Sequence, residues 1–179
     1  RTRENGYLHP IYASLDKLNY TIVRVPVNEN YIFMDATEKL LPIGILPDRA
    51  YNYDGKYIRA IKEKIYGSVD ITPKPYEVHT TYDLDLTEDG KFKGSISKIY
   101  KNNAAFDFRK YYHSLGSKNE FIKEITSENA GLEVDTIEIS NLDNVYKDLE
   151  IKMDVTISNQ CQIVGEDIYF NPMLYEKID

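Results

Sequence analysis

The fold of the first part of the chain is decided by two short apolar runs, LNYTIVRVP at Leu18–Pro26 and YIFMDAT at Tyr31–Thr37. Both runs are rich in β-branched and aromatic residues, which favour strands. The polar residues 28–30 between them are typical of a turn. The pattern therefore predicts an antiparallel hairpin.

The register of this hairpin depends on the length of its loop. If the loop is residues 28–29, Val23 pairs with Met34 and Val25 with Ile32. These four apolar side chains then share one face, because strand side chains alternate, and we expect that face to be buried. A three-residue loop would shift the register.

The opposite face of the predicted hairpin brings a tyrosine close to a carboxylate. Tyr20 and Asp35 would be diagonal neighbours, a distance that long side chains can bridge. The Tyr20 hydroxyl could then donate a hydrogen bond to Asp35, or it could lie in water. Asp35 could also cap the turn that follows it, together with Thr37. The same face carries Ile22, Arg24 and Phe33.

These residues resemble a pattern of the transglutaminase-like superfamily, which has a papain-like fold. In that family an Asn-His pair opens a strand, and the next strand ends in Asp-Ala-Thr. This chain has Asn19-Tyr20 in the first place and Asp35-Ala36-Thr37 in the second. The likeness is closest to bacterial multidomain members with β-rich domains of unknown function, and only Tyr20–Pro47 is specific.

The resemblance implies a site that has lost its base. Active members use Cys, His and Asp in chain order, so Asp35 would hold the acid position and Tyr20 would stand where the family has His. The helix that carries the Cys would precede Arg1. A phenol, with a pKa of about 10, is a poor base near neutral pH.

A proline-rich segment, Thr72–Pro75, predicts a linker between two domains. We expect residues 1–70 to be the C-terminal part of a transglutaminase-like core and residues 75–179 to be a β-rich accessory domain of unknown function. Strand patterns flank two helical patterns there, so the fold class is α+β. The core would end in antiparallel strands, and the accessory domain would be a β-sandwich-like antiparallel structure with two helices.

Residue patterns indicate where the elements of the accessory domain lie. Alternating apolar residues predict strands over 76–86, 92–101, 132–139 and 149–157, and two short strands over 162–164 and 167–170. Helical spacing predicts a helix over 104–115, and a capping pattern at 117–120 opens a second helix that runs to about 128. In the first part of the chain, Asp54-Gly55 predicts a further hairpin between 51–53 and 56–61.

Composition excludes some functions. The net charge is −7 and the basic residues are scattered, so we expect no basic face of the kind that nucleic-acid binding needs. No apolar run is long enough to cross a bilayer, so we expect no membrane insertion. The single cysteine cannot form an internal disulfide. The 16 tyrosines suit strands, and they would also suit a carbohydrate- or peptide-binding face.

The remaining reactive residues give little support for other chemistry. Cys161 follows Asp35 in the chain and lies on a short predicted strand, so a structural thiol is the favoured interpretation. No metal site is expected, because the histidines lack ligand spacing, and no cofactor motif is present. His79 with Asp83 and Asp85 could bind a cation, but a solvated strand face is favoured. The three histidines are His9, His79 and His113.

Three functions fit these patterns. The first is a non-catalytic fragment of a degenerate transglutaminase-like protein that acts in binding or scaffolding. The second is part of a Cys-dependent peptidase or acyltransferase, in which an upstream Cys and another base work with Asp35 through a thioester. The third is a carbohydrate- or protein-binding β-sandwich module. Expected partners are the upstream remainder of the polypeptide and a protein or glycan ligand, and the resemblance implies a periplasmic or cell-surface location.

Overall fold

The structure is a computed structural model that describes residues 2, 4, 19–51, 55–58, 66–69 and 71–176, with backbone only for 55–58 and 66–69. The chain divides into two compact units, residues 1–76 and 77–179. The division follows the proline-rich Thr72–Pro75 segment. Each unit is described by itself.

The described residues of the first unit include the predicted hairpin. Strand β1 (Val23–Val27) pairs with β2 (Asn30–Met34) in antiparallel register. The loop is the two residues 28 and 29, and Asn28 has a φ of 53° there. Val23 lies opposite Met34, and the predicted register is therefore confirmed.

The hairpin packs against the core through the face opposite to the predicted one, so that prediction is wrong. Val23 is 51% exposed, and its neighbours on that face are only half-buried. The other face packs against the core of the unit through Ile22 and Phe33, because the loop that follows β2 folds onto it. The Gly44 N–H donates to the Phe33 carbonyl at 3.1 Å and anchors that loop. The buried core residues are Leu46, Ala50, Tyr51 and Ile71.

The loop after β2 is irregular but well packed. Leu46 is 1% exposed, and its N–H donates to the hydroxyl of Tyr51 at 3.1 Å. A short 3-10 helix, Asp48–Ala50, follows. Strand β3 (Gly55–Ile58) then pairs with β4 (Tyr66–Val69). Residues 52–54 of the Asp54-Gly55 hairpin lie outside the described residues, and the strand that pairs with β3 is one that the sequence did not predict.

The second unit contains a four-stranded antiparallel sheet in the order β5-β6-β8-β7. The predicted hairpin at its edge is confirmed, with Leu86 opposite Phe92. All four strands match their predicted positions to within one or two residues. They are β5 (Glu77–Leu86), β6 (Phe92–Lys101), β7 (Leu132–Ser140) and β8 (Leu149–Ile157).

Two helices connect β6 to β7, as predicted. Helix α1 (Asn102–Leu115) ends at Gly116, whose φ of 78° is a left-handed cap. Helix α2 (Lys118–Glu128) begins after Ser117, whose side chain accepts from the Glu120 N–H at 3.2 Å. The caps fix the bend between the helices.

Both helices pack on one face of the sheet. Phe108 of α1 and Phe121 of α2 meet edge to face, with ring centroids 5.5 Å apart, above the buried residues of β8. In the described residues of this unit the layer that faces the sheet is helical, so the expectation of a β-sandwich is wrong. The α+β class with two helices and antiparallel strands is confirmed.

A last hairpin closes the described part of the second unit. Strand β9 (Cys161–Val164) pairs with β10 (Asp167–Phe170), as predicted. The rings of Phe170 and Phe92 pack edge to face with their centroids 5.5 Å apart. This contact places the hairpin against the start of β6.

Candidate functional site

A hydrogen bond in the first unit joins the two residues singled out by the sequence. The Tyr20 hydroxyl donates a short hydrogen bond to Oδ2 of Asp35. Tyr20 precedes β1 and Asp35 follows β2, so the hairpin register places them as diagonal neighbours. The Asp35 side chain has no exposed surface.

The second oxygen of Asp35 caps the turn after β2. Oδ1 accepts from the N–H of Thr37 at 2.8 Å and from its hydroxyl at 2.7 Å. The turn-capping interpretation and the tyrosine contact are therefore both present, one on each carboxylate oxygen.

Two residues that the sequence analysis missed complete the site. Arg49 Nη2 lies 3.8 Å from Asp35 Oδ2 and 3.5 Å from the Tyr20 hydroxyl, and it forms a close ion pair with Glu38. The Arg49 guanidinium also lies 5.2 Å from the centre of the Tyr20 ring. Glu38 and Arg49 both belong to the loop segment after β2, which brings them to the site. No motif or spacing in the sequence predicted their position.

These contacts set the ionisation of the pair. Burial raises the pKa of Tyr20 to about 12, and the hydrogen bond and charge of Asp35 add to this, while Arg49 opposes it. Burial alone would raise the pKa of Asp35, but hydrogen bonds from Tyr20 and Thr37 and the charge of Arg49 outweigh it, so the pKa lies below its usual value. At neutral pH the site holds a carboxylate and a neutral phenol.

The described residues of the first unit contain neither histidine nor cysteine. The contacts of Asp35 within these residues are hydrogen bonds from Tyr20 and Thr37 and an ion pair with Arg49. A phenol with a pKa of about 12 is deprotonated in only about one molecule in 10⁵ at pH 7. General-base catalysis by Tyr20 is correspondingly disfavoured.

The other residues noted in the sequence lie in the second unit or outside the described residues. Cys161 is partly buried beside the core, on β9. His79 is exposed, with its Nε2 3.3 Å from a Glu77 carboxylate oxygen. Among the described residues no three His, Cys, Asp or Glu side chains cluster closely enough to hold a metal, so the His79 grouping with Asp83 and Asp85 is not assembled. His113 is exposed on α1, and His9 lies outside the described residues.

Comparison of the chain with models of known protein families, with curated proteins and with solved structures finds no match. None of the described helices is long and apolar enough to cross a membrane.

Proposed function

We propose that this chain is a non-catalytic part of a degenerate transglutaminase-like protein and acts in binding or scaffolding. The observation that carries the proposal is the hydrogen bond from the Tyr20 hydroxyl to Asp35. Through this bond Tyr20 already takes an acceptor oxygen of the carboxylate that a catalytic triad would use to orient its base.

Tyrosine and histidine differ in the donors and acceptors they offer to a triad. In a triad the acid accepts from one imidazole nitrogen, while the other nitrogen takes the proton of the nucleophile. Phenol has a single oxygen and a single proton. In Tyr20 that proton is donated to Asp35, so the residue orients itself against the acid but has no second basic atom for a nucleophile.

The rest of the network supports a structural role. Asp35 joins the Tyr20 segment to the turn at Thr37, and Arg49 joins both to Glu38 in the following loop. These five polar side chains tie the ends of the hairpin to the loop that follows it. Such a network stabilises the folded hairpin and its loop, and it has no need of proton transfer.

The test is turnover by the full-length polypeptide that contains this chain. Wild type, Asp35→Asn and Tyr20→Phe are assayed for hydrolysis of a peptide amide and for transfer of its acyl group to an amine. We expect no turnover above the buffer background in any of them. Turnover by the wild type that Asp35→Asn abolishes would overturn the proposal and favour a thioester enzyme with an upstream Cys.

Tyr31→Phe is the matched control for Tyr20→Phe. It removes a hydroxyl from a tyrosine of the same hairpin that is 47% exposed. A difference in turnover between these two variants would report on the Asp35 contact. The same change in turnover in both would report only on the loss of a phenol hydroxyl.

A further inference from the structure

The second unit contains a cavity of about 380 Å³ between the sheet and helix α2. Its floor is apolar and is formed by strands β6 and β8 through Ile96, Ile151 and Met153, and Phe108 and Phe121 of the helices form the wall. The volume lies within the range of small-molecule sites, which are mostly apolar with a few placed polar groups.

The polar end of the cavity holds a carboxylate supplied by the chain itself. Glu176, after β10, accepts from Lys98 Nζ at 2.7 Å and from the Tyr82 hydroxyl at 3.1 Å. Tyr82 and Lys98 belong to the neighbouring strands β5 and β6, and all three residues line the cavity. The Glu176 side chain thus occupies a seat made of one cation and one hydroxyl donor.

The seat is suited to an ionised carboxylate. Burial alone would raise the pKa of Glu176, but the hydrogen bond and charge of Lys98, with the hydroxyl donors of Tyr82 and Thr80, outweigh it and leave the pKa below its usual value. Burial and the Glu176 charge raise the pKa of Tyr82, which keeps the phenol a neutral donor. Donor and acceptor roles are therefore fixed at neutral pH.

We propose that this cavity binds an apolar monocarboxylate, with its head group on Lys98 and Tyr82 and its tail over the apolar floor, and that Glu176 occupies the head-group seat in the absence of ligand. Lys98 is the one cation among the described residues that line the cavity, which gives the seat its preference for an anion. The proposal gives the binding role proposed above a ligand class and rests on that role.

Glu176 acts as an internal competitor in this arrangement. A ligand must displace its carboxylate from Lys98, so the observed affinity is lowered by the fraction of molecules in which the seat is filled. Weakening the Glu176 contact should therefore tighten binding, which is the opposite of what the loss of an ordinary lining residue does.

Glu124 and Glu128 also line the cavity, and they make an amine the competing ligand class. Burial, and after it the neighbouring Glu124, raise the pKa of the Tyr111 phenol to about 12, so a neutral hydroxyl faces part of that acidic surface. We favour the carboxylate because the structure shows one in the seat, on the only lining cation of the described residues.

The experiment is calorimetric titration of the whole chain with octanoate, octylamine and octanol, which share one tail and differ in the head group. We expect octanoate to bind and the other two to bind at least tenfold more weakly. Glu176→Gln should bind octanoate at least threefold more tightly than wild type, and Lys98→Met at least tenfold more weakly. Glu138→Gln, which removes an exposed carboxylate of β7 that does not line the cavity, should stay within twofold of wild type.

Tighter binding of octylamine than octanoate would overturn the carboxylate proposal, and so would equal binding of octanol. An absence of octanoate binding in both wild type and Glu176→Gln would do the same. Circular dichroism confirms that each variant is folded, and Tyr82→Phe, expected to weaken octanoate severalfold, replaces Lys98→Met if that variant unfolds. Failure here leaves the non-catalytic role intact, because amide turnover, and not octanoate binding, is what would overturn that role.

Discussion

Asp35 accepts hydrogen bonds on both of its oxygens, and at the residue scale these bonds decide what the site can do. Oδ2 takes the Tyr20 hydroxyl and Oδ1 takes Thr37, so the carboxylate is charged and fully hydrogen-bonded without exposed surface. A buried charge of this kind stabilises the fold only while its partners remain in place. Its ionisation should therefore be visible in the stability of the protein.

Asp35→Asn should destabilise the protein in a pH-dependent way. At pH 7 we expect a loss of about 2 kcal/mol in the free energy of unfolding, because hydrogen bonds to a buried charge are lost. The folded pKa of Asp35 is lowered, so its contribution is present above the unfolded pKa of about 4 and is lost as pH falls through the folded value. The gap between wild type and variant, measured by urea unfolding, should shrink below about pH 4. The exposed Asp83→Asn serves as the control, and a gap that grows towards low pH would contradict this prediction.

Arg109 is a second buried charge, and hydrogen bonds to backbone carbonyls compensate for its burial. It is 1% exposed, and its guanidinium donates to four backbone carbonyls in the loop between β7 and β8. Burial lowers the pKa of Arg109, while Asp143 and Asp148 oppose that shift. The carbonyl acceptors are those of Asn141, Leu142, Asn144 and Lys147.

Arg109→Lys should destabilise the second unit although it keeps the charge. A lysine ammonium lacks the planar fork of donors, so several buried carbonyls would lose their partners, at a cost of about 3 kcal/mol. Amide hydrogen exchange should become faster across residues 141–148. Lys110→Arg, on the exposed side of the same helix, should change neither the free energy of unfolding nor the exchange rates of residues 141–148. Unchanged exchange in Arg109→Lys would show that the loop does not depend on the fork.

At the scale of elements, the sheet of the second unit depends on a close approach between two strands. Gly94 of β6 lies opposite Leu84 of β5, with a φ of 156°. A Cβ added at position 94 would lie 2.1 Å from the Asp83 carbonyl oxygen, which is backbone and cannot give way. Only glycine allows the two strands to pair there.

Gly94→Ala should therefore lower the free energy of unfolding by about 3 kcal/mol or more. Gly165→Ala is the matched control, because its φ is also positive, at 65°, but a Cβ there meets no atom within 4 Å. Strain alone should cost the control about 1 kcal/mol. Thermal unfolding of both variants separates the clash from the strain, and equal losses would contradict the argument.

Local patterns predicted most elements, and the errors have a common physical cause. The register of the first hairpin and the caps of α1 and α2 follow from turn length and residue type, which are local. The buried face of that hairpin could not be predicted, because both faces carry apolar residues and the choice is made by the loop around Leu46. Arg49 joins the site through the same loop.

At the scale of the whole molecule, the chain consists of two compact units with different content. The first holds the Tyr20–Asp35 pair on which the non-catalytic role is proposed, and the second holds the cavity and the Glu176 seat. Lys98 and Glu176 are 78 residues apart in the chain, and a contact over that separation has no local signature. The sandwich expectation failed for a similar reason, because strand patterns do not show whether helices or a second sheet cover them.

The most direct test of the central claim is the titration of Tyr20 in the folded chain. The ¹³Cζ resonance of each labelled tyrosine can be followed against pH by nuclear magnetic resonance, with Tyr20→Phe to assign the signal. We predict that Tyr20 titrates at about 12, because burial and the hydrogen bond to the ionised Asp35 both raise its pKa. A value well below 10 would contradict the account, because a phenolate available near neutral pH would make Tyr20 a competent base.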